Sequence, residues 1–216
     1  MENYYTKDLL EVGVDEVARG CLAGPVFSAA VIWPKELDDD LKVYEKQIRD
    51  SKKLSRSKRN ELRHFIEEHA IDYSVAYIDE TIIDYKNILN ATYMAMHEAI
   101  SNLNTIPELI LVDGRSFKPY NKNNNSNKNN TMDNLIEHVC IKGGDNKYIP
   151  IACASILAKE YHDDYIKNLC AKEPDLKRYD WESNMCYGTK KHIDAIKQYG
   201  LTKYHRKTFG ICRDYI

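Results

Sequence analysis

Hydrophobic positions along the chain fall into short runs separated by longer, mixed segments, and this pattern predicts strands interleaved with helices. Residues 9–17 and the nearly continuous apolar run 26–33 predict the first two strands. The turn at Gly24-Pro25 between them is so short that the two strands are expected to form an antiparallel hairpin. Polar and apolar residues then alternate over 72–78, which predicts a third strand.

Helical spacing becomes prominent further along the chain, as in Ile88, Ala91 and Ala95. Helices are predicted over residues 55–70, from 81 or 87 to 103, over 151–169 and over 189–199. Two further short strands are predicted over 109–112 and 135–142. Three early strands followed by strands that alternate with helices predict an α/β domain with a mixed five-stranded sheet flanked by helices.

Composition is that of an ordinary water-soluble globular chain, with 216 residues of which 43% are hydrophobic and 30% charged. No apolar run approaches the roughly 20 residues of a membrane helix, so no membrane partner is expected. The first residues lack a basic region followed by an apolar stretch, so no signal peptide is expected. The six cysteines form no C-x-x-C pair and predict reduced, mostly buried thiols, which favours a cytoplasmic protein.

Two stretches have a biased composition. Residues 121–131 are rich in asparagine, and this low complexity predicts a floppy surface loop with no function of its own. Between residues 186 and 213 there are seven basic residues and one acidic residue, although the whole chain carries a net charge of −2. That asymmetry is typical of a surface that binds a polyanion, and it is equally compatible with a solvated basic tail.

Acidic residues stand at the ends of predicted strands. Asp15 and Glu16 close the first apolar run, Asp113 closes the fourth, and Asp145 follows the fifth within a glycine-rich turn. An isolated aspartate in such a place is usually a turn residue or a helix cap. If the first and fourth strands are neighbours, however, their carboxyl ends converge, and functional sites commonly form at that edge of an α/β sheet.

Converging carboxylates repel one another unless a cation lies between them. Mg²⁺ and Mn²⁺ are hard ions that prefer oxygen ligands, so either is the expected cofactor. A pair of such ions can activate a water and stabilise the leaving oxygen in phosphodiester cleavage. Successive strand residues point to opposite faces, so Asp15 and Glu16 can share one site only where the strand ends or kinks, which residues 18–20 would allow.

The segment from Gly13 to Pro25, G-V-D-E-V-A-R-G-C-L-A-G-P, resembles the signature G-[IV]-D-E-A-G-R-G-x-x-A-G-P of the ribonuclease HII family. Further blocks that are similar to family motifs follow in order as D-S-K-K-L-S (50–55), L-V-D-G (111–114), K-G-G-D (142–145), A-C-A-S-I-L-A-K (152–159), Y-G-T-K-K-H (187–192) and H-R-K-T-F (205–209). The resemblance therefore extends over nearly the whole chain.

This resemblance implies an RNase H-like fold, with a catalytic domain over 1–172 and a small basic, helical segment over 173–216. It implies endonucleolytic cleavage of RNA strands in RNA/DNA hybrids, and cleavage 5′ of single ribonucleotides embedded in duplex DNA. The products would carry 3′-hydroxyl and 5′-phosphate ends. The four metal-binding, catalytic acids of the family correspond to Asp15, Glu16, Asp113 and Asp145.

The resemblance also implies the residues that bind substrate. A loop that senses the ribonucleotide 2′-hydroxyl corresponds to Ala18, Arg19 and Gly20, and a tyrosine that stacks on the sugar corresponds to Tyr187. The 2′-hydroxyl is the local chemical mark that distinguishes RNA from DNA. Lys52 and Lys53, together with the basic C-terminal segment, are expected to bind phosphates without regard to sequence.

Some positions depart from the family pattern, because Ala18 replaces a glycine, His162 an arginine and Cys186 a glycine. Two alternatives remain: a related ribonuclease HIII, and a catalytically inactive module that binds hybrids. Ribonuclease HIII normally carries an extra N-terminal domain, which is not expected here because the signature already begins at Gly13. An inactive descendant would be expected to lose at least one of the four acids. The chain is expected to be a monomer.

Overall fold

A mixed sheet forms the centre of the fold, in a computed structural model that describes residues 1–122 and 134–216. Within those residues the sheet has six strands in the order β3-β2-β1-β4-β6-β5. The strands are β1 (Glu11–Val17), β2 (Val26–Ile32), β3 (Asp72–Ile78), β4 (Leu109–Asp113), β5 (Tyr120–Asn121) and β6 (Leu135–Ile141). Strands β1, β4 and β6 are mutually parallel, whereas β2, β3 and β5 pair antiparallel to their neighbours.

Seven α-helices connect and cover these strands in the described part of the chain. They are α1 (Asp39–Glu45), α2 (Arg56–His69), α3 (Glu80–Lys86), α4 (Ile88–Ser101), α5 (Ile149–Lys172), α6 (Trp181–Asn184) and α7 (Lys190–Tyr199). Short 3₁₀ helices lie at Ser51–Lys53, Gly144–Asn146, Pro174–Tyr179 and Gly210–Tyr215. The expected α/β architecture, a mixed sheet flanked by helices, is confirmed, and so is the antiparallel hairpin of β1 and β2.

One detail of the sequence prediction, the number of strands, is wrong. The sheet has a sixth strand, β5, whose Tyr120 and Asn121 pair with Ile136 and Leu135 of β6. A two-residue strand is too short to show a period of its own, so the sequence pattern did not indicate it. Of the two starts predicted for the helix that runs to about residue 103, residues 81 and 87, the structure has the second, because Asn87, whose φ of 68° lies in the left-handed region, separates α3 from α4.

Opposite faces of the sheet are covered by different helices. Helix α5 packs on the face that carries Ala29 and Val31, and α4 packs on the face that carries Val12 and Val14. Gly13 lies under the first turn of α5, where a Cβ atom would come within 2.2 Å of the Pro150 carbonyl carbon. Only glycine allows strand and helix backbones to approach so closely. This contact brings the first turns of α5 directly over the end of β1.

The C-terminal elements pack against the loop that follows β1. Their buried cluster combines Cys21 and Leu22 from that loop with Ile166 of α5 and with Trp181 and Ile196 of the C-terminal helices. All six cysteines are unpaired, and all but Cys140 are buried, as predicted. Among the described helices, none has the length and apolar character needed to cross a bilayer. The surface loop predicted over 121–131 lies, from residue 123 onward, outside the described residues.

Candidate active site

Two of the four predicted acids lie side by side on neighbouring parallel strands. In the β1–β4 ladder Val14 pairs with Val112, so Asp15 and Asp113 follow at the same level. The sequence argument required β1 and β4 to be neighbours, and they are. Asp15 is 5% exposed, whereas Asp113, the last residue of β4, is more accessible. The carboxyl ends of the central strands therefore form an acidic edge.

Asp15 and Glu16 lie on opposite faces of β1. The strand continues through Val17, with Asp15 paired to Ala29 and Glu16 paired to Ser28. Asp15 shares the face covered by α5, where Ser155 hydrogen-bonds to its carboxylate. Glu16 faces a cavity of about 310 Å³ beside α4, which Asp113 also lines. The kink that the sequence suggested comes after Val17, so it does not turn both acids to one face.

Asp145 reaches the same edge from the turn after β6. Gly143 takes a left-handed conformation with φ of 63°, and residues 144–146 then form a 3₁₀ turn. The backbone N–H of Gly144 donates to Asp113 Oδ1 at 2.7 Å. The turn that carries Asp145 is therefore held directly by a carboxylate of the site, and Asp145 itself is buried.

Electrostatic interactions connect the four acids. Burial is the main cause that raises the pKa of Asp15 well above its usual value, and the charges of Glu16 and Asp113 raise it further. Burial also raises the pKa of Asp145, and the charge of Asp113 is the next cause. The pKa of Glu16 is raised by burial, while the Arg19 guanidinium opposes the increase. Asp113 thus acts on all three other carboxylates.

The donor set suits a hard divalent cation, because four carboxylates with mutual repulsion are stabilised by positive charge between them. In the conformations of residues 1–122 and 134–216, no three His, Cys, Asp or Glu side chains already converge tightly enough to hold a metal ion. Each acid has a protein partner instead: Glu16 accepts from Arg19, Asp113 from Gly144, and Asp145 from Asn146. A metal ion would have to replace some of these partners.

The 18–20 loop begins with a strained residue. Ala18 has a φ of 70°, which an L-residue with a Cβ atom adopts at a cost of roughly 1–2 kcal/mol. Arg19 is exposed, and its Nη1 lies 3.0 Å from Glu16 Oε1. Gly20 is also exposed, with open space where a Cβ atom would stand. The loop therefore presents a cation and an unobstructed backbone directly beside the acidic edge.

Tyr187 is attached to this loop through its backbone. It forms a β-bridge with Cys21, and its hydroxyl lies within hydrogen-bonding reach of the Ala18 backbone and the Cys21 thiol. The ring of Tyr187 is partly open to solvent, since the residue is 37% exposed. The ammonium of Lys159 lies 5.8 Å from the ring centroid. Tyr187 and the 18–20 loop consequently form one continuous surface.

Lys52 and Lys53 extend the site on its other side. Both are exposed on the short 3₁₀ helix Ser51–Lys53, whose first turn is capped by Asp50. Lys52 acts electrostatically on Glu16 and Asp145, where it opposes the increase in both pKa values. The Lys53 ammonium donates to the side chain of Asn146, next to Asp145. Both lysines therefore lie at the acidic edge.

The basic C-terminal segment is less available than its sequence indicated. Arg206 is fully buried, so the expectation that it binds phosphate is wrong for this residue. Its neighbours in the fold are backbone carbonyls, which a sequence pattern cannot reveal. Lys190 and Lys203 form ion pairs with Asp194 and Glu173. The side chain of Lys207 remains exposed.

Sequence reasoning missed two groups at the site. Ser155 binds Asp15 and also lies 3.0 Å, oxygen to oxygen, from Ser51, which joins α5 to the lysine-bearing turn. Both serines occur in the motif blocks. Their contacts with Asp15 and with each other depend on how closely α5 approaches the sheet, which the sequence does not show. Arg115, two residues beyond Asp113, lines the cavity beside Glu16. The position of Arg115 just after the acid that ends β4 was the signal in the sequence that could have identified it.

Solved structures with the same fold are found at low sequence identity. Ribonuclease H2 from Pyrococcus horikoshii OT3 matches 95% of this chain and 96% of its own, with a TM-score of 0.71 at 21% identity. Bst-RNase HIII in complex with Mn²⁺ matches 95% of this chain and 68% of its own, with a TM-score of 0.66 at 15% identity. These likenesses confirm the RNase H-like fold.

Sequence comparison is more specific. The family described as Ribonuclease HII matches residues 12–212. A ribonuclease HII from Christiangramia forsetii is 45% identical over 214 residues, which cover 99% of this chain and 97% of that protein. Another from Bacteroides fragilis is 43% identical over 211 residues, covering 98% and 94%. These matches establish that the chain belongs to the ribonuclease HII family of nucleases.

Proposed function

We propose that this ribonuclease cleaves the RNA strand of RNA/DNA hybrids and cuts duplex DNA on the 5′ side of single embedded ribonucleotides. The observation that carries the proposal is the acidic edge, where Asp113 interacts electrostatically with Asp15, Glu16 and Asp145. Such a cluster is stabilised by divalent cations and has little use in a purely structural role. The expected products carry 3′-hydroxyl and 5′-phosphate ends.

Two Mg²⁺ or Mn²⁺ ions are the proposed cofactors, held by Asp15, Glu16, Asp113 and Asp145. When bound, such ions increase the acidity of water and neutralise charge that develops on the phosphate. The chain's own contribution is to hold the carboxylates in position. Ser155 and the Gly144 N–H orient Asp15 and Asp113 through hydrogen bonds.

Substrate selection is assigned to the exposed surface beside the acids. The 18–20 loop offers backbone groups and the Arg19 side chain to a 2′-hydroxyl, and Tyr187 offers an open ring to the adjoining sugar. Lys52 and Lys53 are suited to neighbouring phosphates, since both ammonium groups are exposed at the acidic edge. Contacts of this kind bind any base sequence.

The decisive experiment uses two labelled DNA duplexes that differ by one ribonucleotide. In the presence of Mn²⁺ or Mg²⁺ we expect a single cut 5′ of the ribonucleotide, no cut in the all-DNA duplex, and no product in EDTA. An uncut ribonucleotide duplex with both metals would overturn the proposal. Binding without product would instead support the inactive hybrid-binding module.

A variant separates catalysis from folding. Asp113→Asn should reduce the cleavage rate at least about 10²-fold, because metal-assisted stabilisation is worth several kcal/mol, while duplex binding is retained. Asp164→Asn, which alters a surface acid paired with Arg63, is the control and should keep its activity. Equal losses of binding and cleavage in Asp113→Asn would indicate a structural role instead.

Cytoplasmic localisation is proposed because all six cysteines are unpaired and five of them are buried. A monomeric state also stays a prediction, which light scattering during size-exclusion chromatography would test.

A further inference from the structure

Arg206 is a buried basic residue whose side chain contacts backbone carbonyls and an aromatic ring. Its side chain is 0% exposed, and its guanidinium lies 5.0 Å from the Phe209 ring centroid. Nη1 donates to the carbonyl of Arg19 at 3.0 Å, and Nε donates to the carbonyl of Gly24 at 2.9 Å. Both acceptors belong to the segment that connects β1 to β2, and the first lies in the 18–20 loop.

The backbone around Arg206 reinforces this attachment. Arg206 N–H donates to the Leu22 carbonyl, and Gly24 N–H donates to the Tyr204 carbonyl, each at 2.8 Å. On the other side, Leu22 N–H donates to the Cys186 carbonyl at 2.9 Å. The connecting segment is thus held between two parts of the C-terminal region, and within the 18–20 loop the side chain of Arg206 reaches the carbonyl of Arg19.

A buried cation without a carboxylate in hydrogen-bond contact is energetically costly. Burial lowers the pKa of Arg206, and its Nη2 has no hydrogen-bond partner among the described residues. An apolar side chain of similar size would avoid this desolvation cost. The two contacts to carbonyls are what an apolar side chain could not make, and one of them is the carbonyl of the strained turn that starts at Ala18.

We propose that Arg206 is a positioning residue that fixes the 18–20 loop in the conformation that distinguishes a ribonucleotide from a deoxyribonucleotide. This inference rests on the function proposed above. Arg206 is buried and acts through the Arg19 carbonyl, so it has no direct contact with substrate. Losing the hydrogen bond to Arg19 releases the left-handed turn at Ala18 and alters the direction of the loop's backbone groups. Discrimination should suffer more than general affinity for duplexes.

The test measures a ratio of affinities, which a change in the folded fraction does not alter. Binding to two duplexes, one with a single ribonucleotide and one of DNA alone, is measured in EDTA for wild type, Arg206→Met and Arg206→Lys. We expect the ratio of the two Kd values to fall at least fivefold in Arg206→Met. Lysine can donate to one of the two carbonyls, so Arg206→Lys should retain an intermediate ratio.

Lys207→Met is the matched control, since it removes the adjacent, exposed cation. It should leave the ratio unchanged, whatever it does to both affinities. A folded Arg206→Met or Arg206→Lys protein with the wild-type ratio would overturn the inference, and the lysine variant decides if the methionine variant does not fold. A wild-type protein without any preference for the ribonucleotide duplex would count against the proposed function itself.

Discussion

The Arg19 guanidinium donates to the Glu16 carboxylate across 3.0 Å, three residues back along the chain. One partner lies in the loop proposed to sense the ribose, and the other is an acid proposed to bind metal. The ion pair therefore couples the two halves of the site. Substrate or metal binding that recruits either side chain must replace this contact.

Removal of Arg19 should change the pH dependence of cleavage. Burial raises the pKa of Glu16, and Arg19 opposes that increase. Without Arg19 the pKa of Glu16 rises further, so the ionised form needed at the site is reached only at higher pH. We expect the acidic limb of the single-turnover rate profile to move to higher pH in Arg19→Ala. Arg19→Lys keeps the charge, so its acidic limb should lie close to that of wild type. An acidic limb at the same pH in all three proteins would contradict this coupling.

Asp15→Asn should stabilise the metal-free protein at neutral pH while abolishing activity. The folded-state pKa of Asp15 is raised, mainly by burial. The protonated form therefore contributes stability that is present below the ordinary carboxyl pKa of about 4 and is lost as pH rises through the raised value. Asparagine avoids that loss. Since about 1 kcal/mol moves Tm by ~2–4 °C at this size, an increase of a few degrees is expected at pH 7.5 in EDTA.

The stabilisation by Asp15→Asn should disappear below about pH 3, where the wild-type carboxyl is protonated in both the folded and the unfolded state. Added Mn²⁺ should raise the Tm of wild type and have less effect on the variant. A variant that is less stable than wild type at pH 7.5 would show that the Ser155 hydrogen bond outweighs the desolvation of the carboxylate.

Tyr187 offers two separable groups, an open ring and a hydroxyl near Ala18. Tyr187→Ala should weaken substrate binding about tenfold, because stacking contacts are worth ~1–3 kcal/mol each. Tyr187→Phe keeps the ring and should lose less affinity, with the remaining loss assigned to the hydroxyl. Tyr85→Ala removes an even more exposed tyrosine, at 77%, and serves as control. Equal affinities for Tyr187→Ala and Tyr85→Ala would exclude stacking at Tyr187.

Gly13→Ala should destabilise the fold severely, although it adds one methyl group. The new Cβ atom would lie 2.2 Å from the Pro150 carbonyl carbon and 2.4 Å from the Ile151 nitrogen. Overpacking costs about 1–3 kcal/mol where side chains can yield, and backbone atoms yield less, so we expect a loss of at least about 3 kcal/mol in urea unfolding. Gly20→Ala, where a Cβ meets nothing within 4 Å, should change stability little.

The sequence alone was sufficient for the five longer strands and for the acids at or near their carboxyl ends, because both depend on local patterns. Asp15 and Asp113 each end an apolar run, and pairing β1 with β4 is enough to bring them together. The opposite orientation of Asp15 and Glu16 follows from the period of two in a strand. Which helix packs next to each acid could not be predicted, because it depends on packing between segments that are distant in the sequence.

Burial of charge could not be predicted in the same way. Arg206 belongs to a basic stretch that is typical of a nucleic-acid surface, yet its side chain is turned inward to carbonyls some 180 residues earlier in the chain. Ala18 could be recognised as a departure from a glycine motif, but its φ of 70° is a property of the folded loop. In both cases the decisive partner lies far away in sequence.

Cys21 and Cys186 are buried next to Tyr187 and the 18–20 loop, so the reactivity of their thiols can report local unfolding there. Burial raises the pKa of Cys21 to about 12, so its thiol is unreactive in the folded structure. Reaction with a thiol reagent requires a transient local opening. The rate of labelling at these two sulfurs therefore measures how often the surface formed by Tyr187 and the 18–20 loop opens locally. The measurement needs neither nucleic acid nor metal.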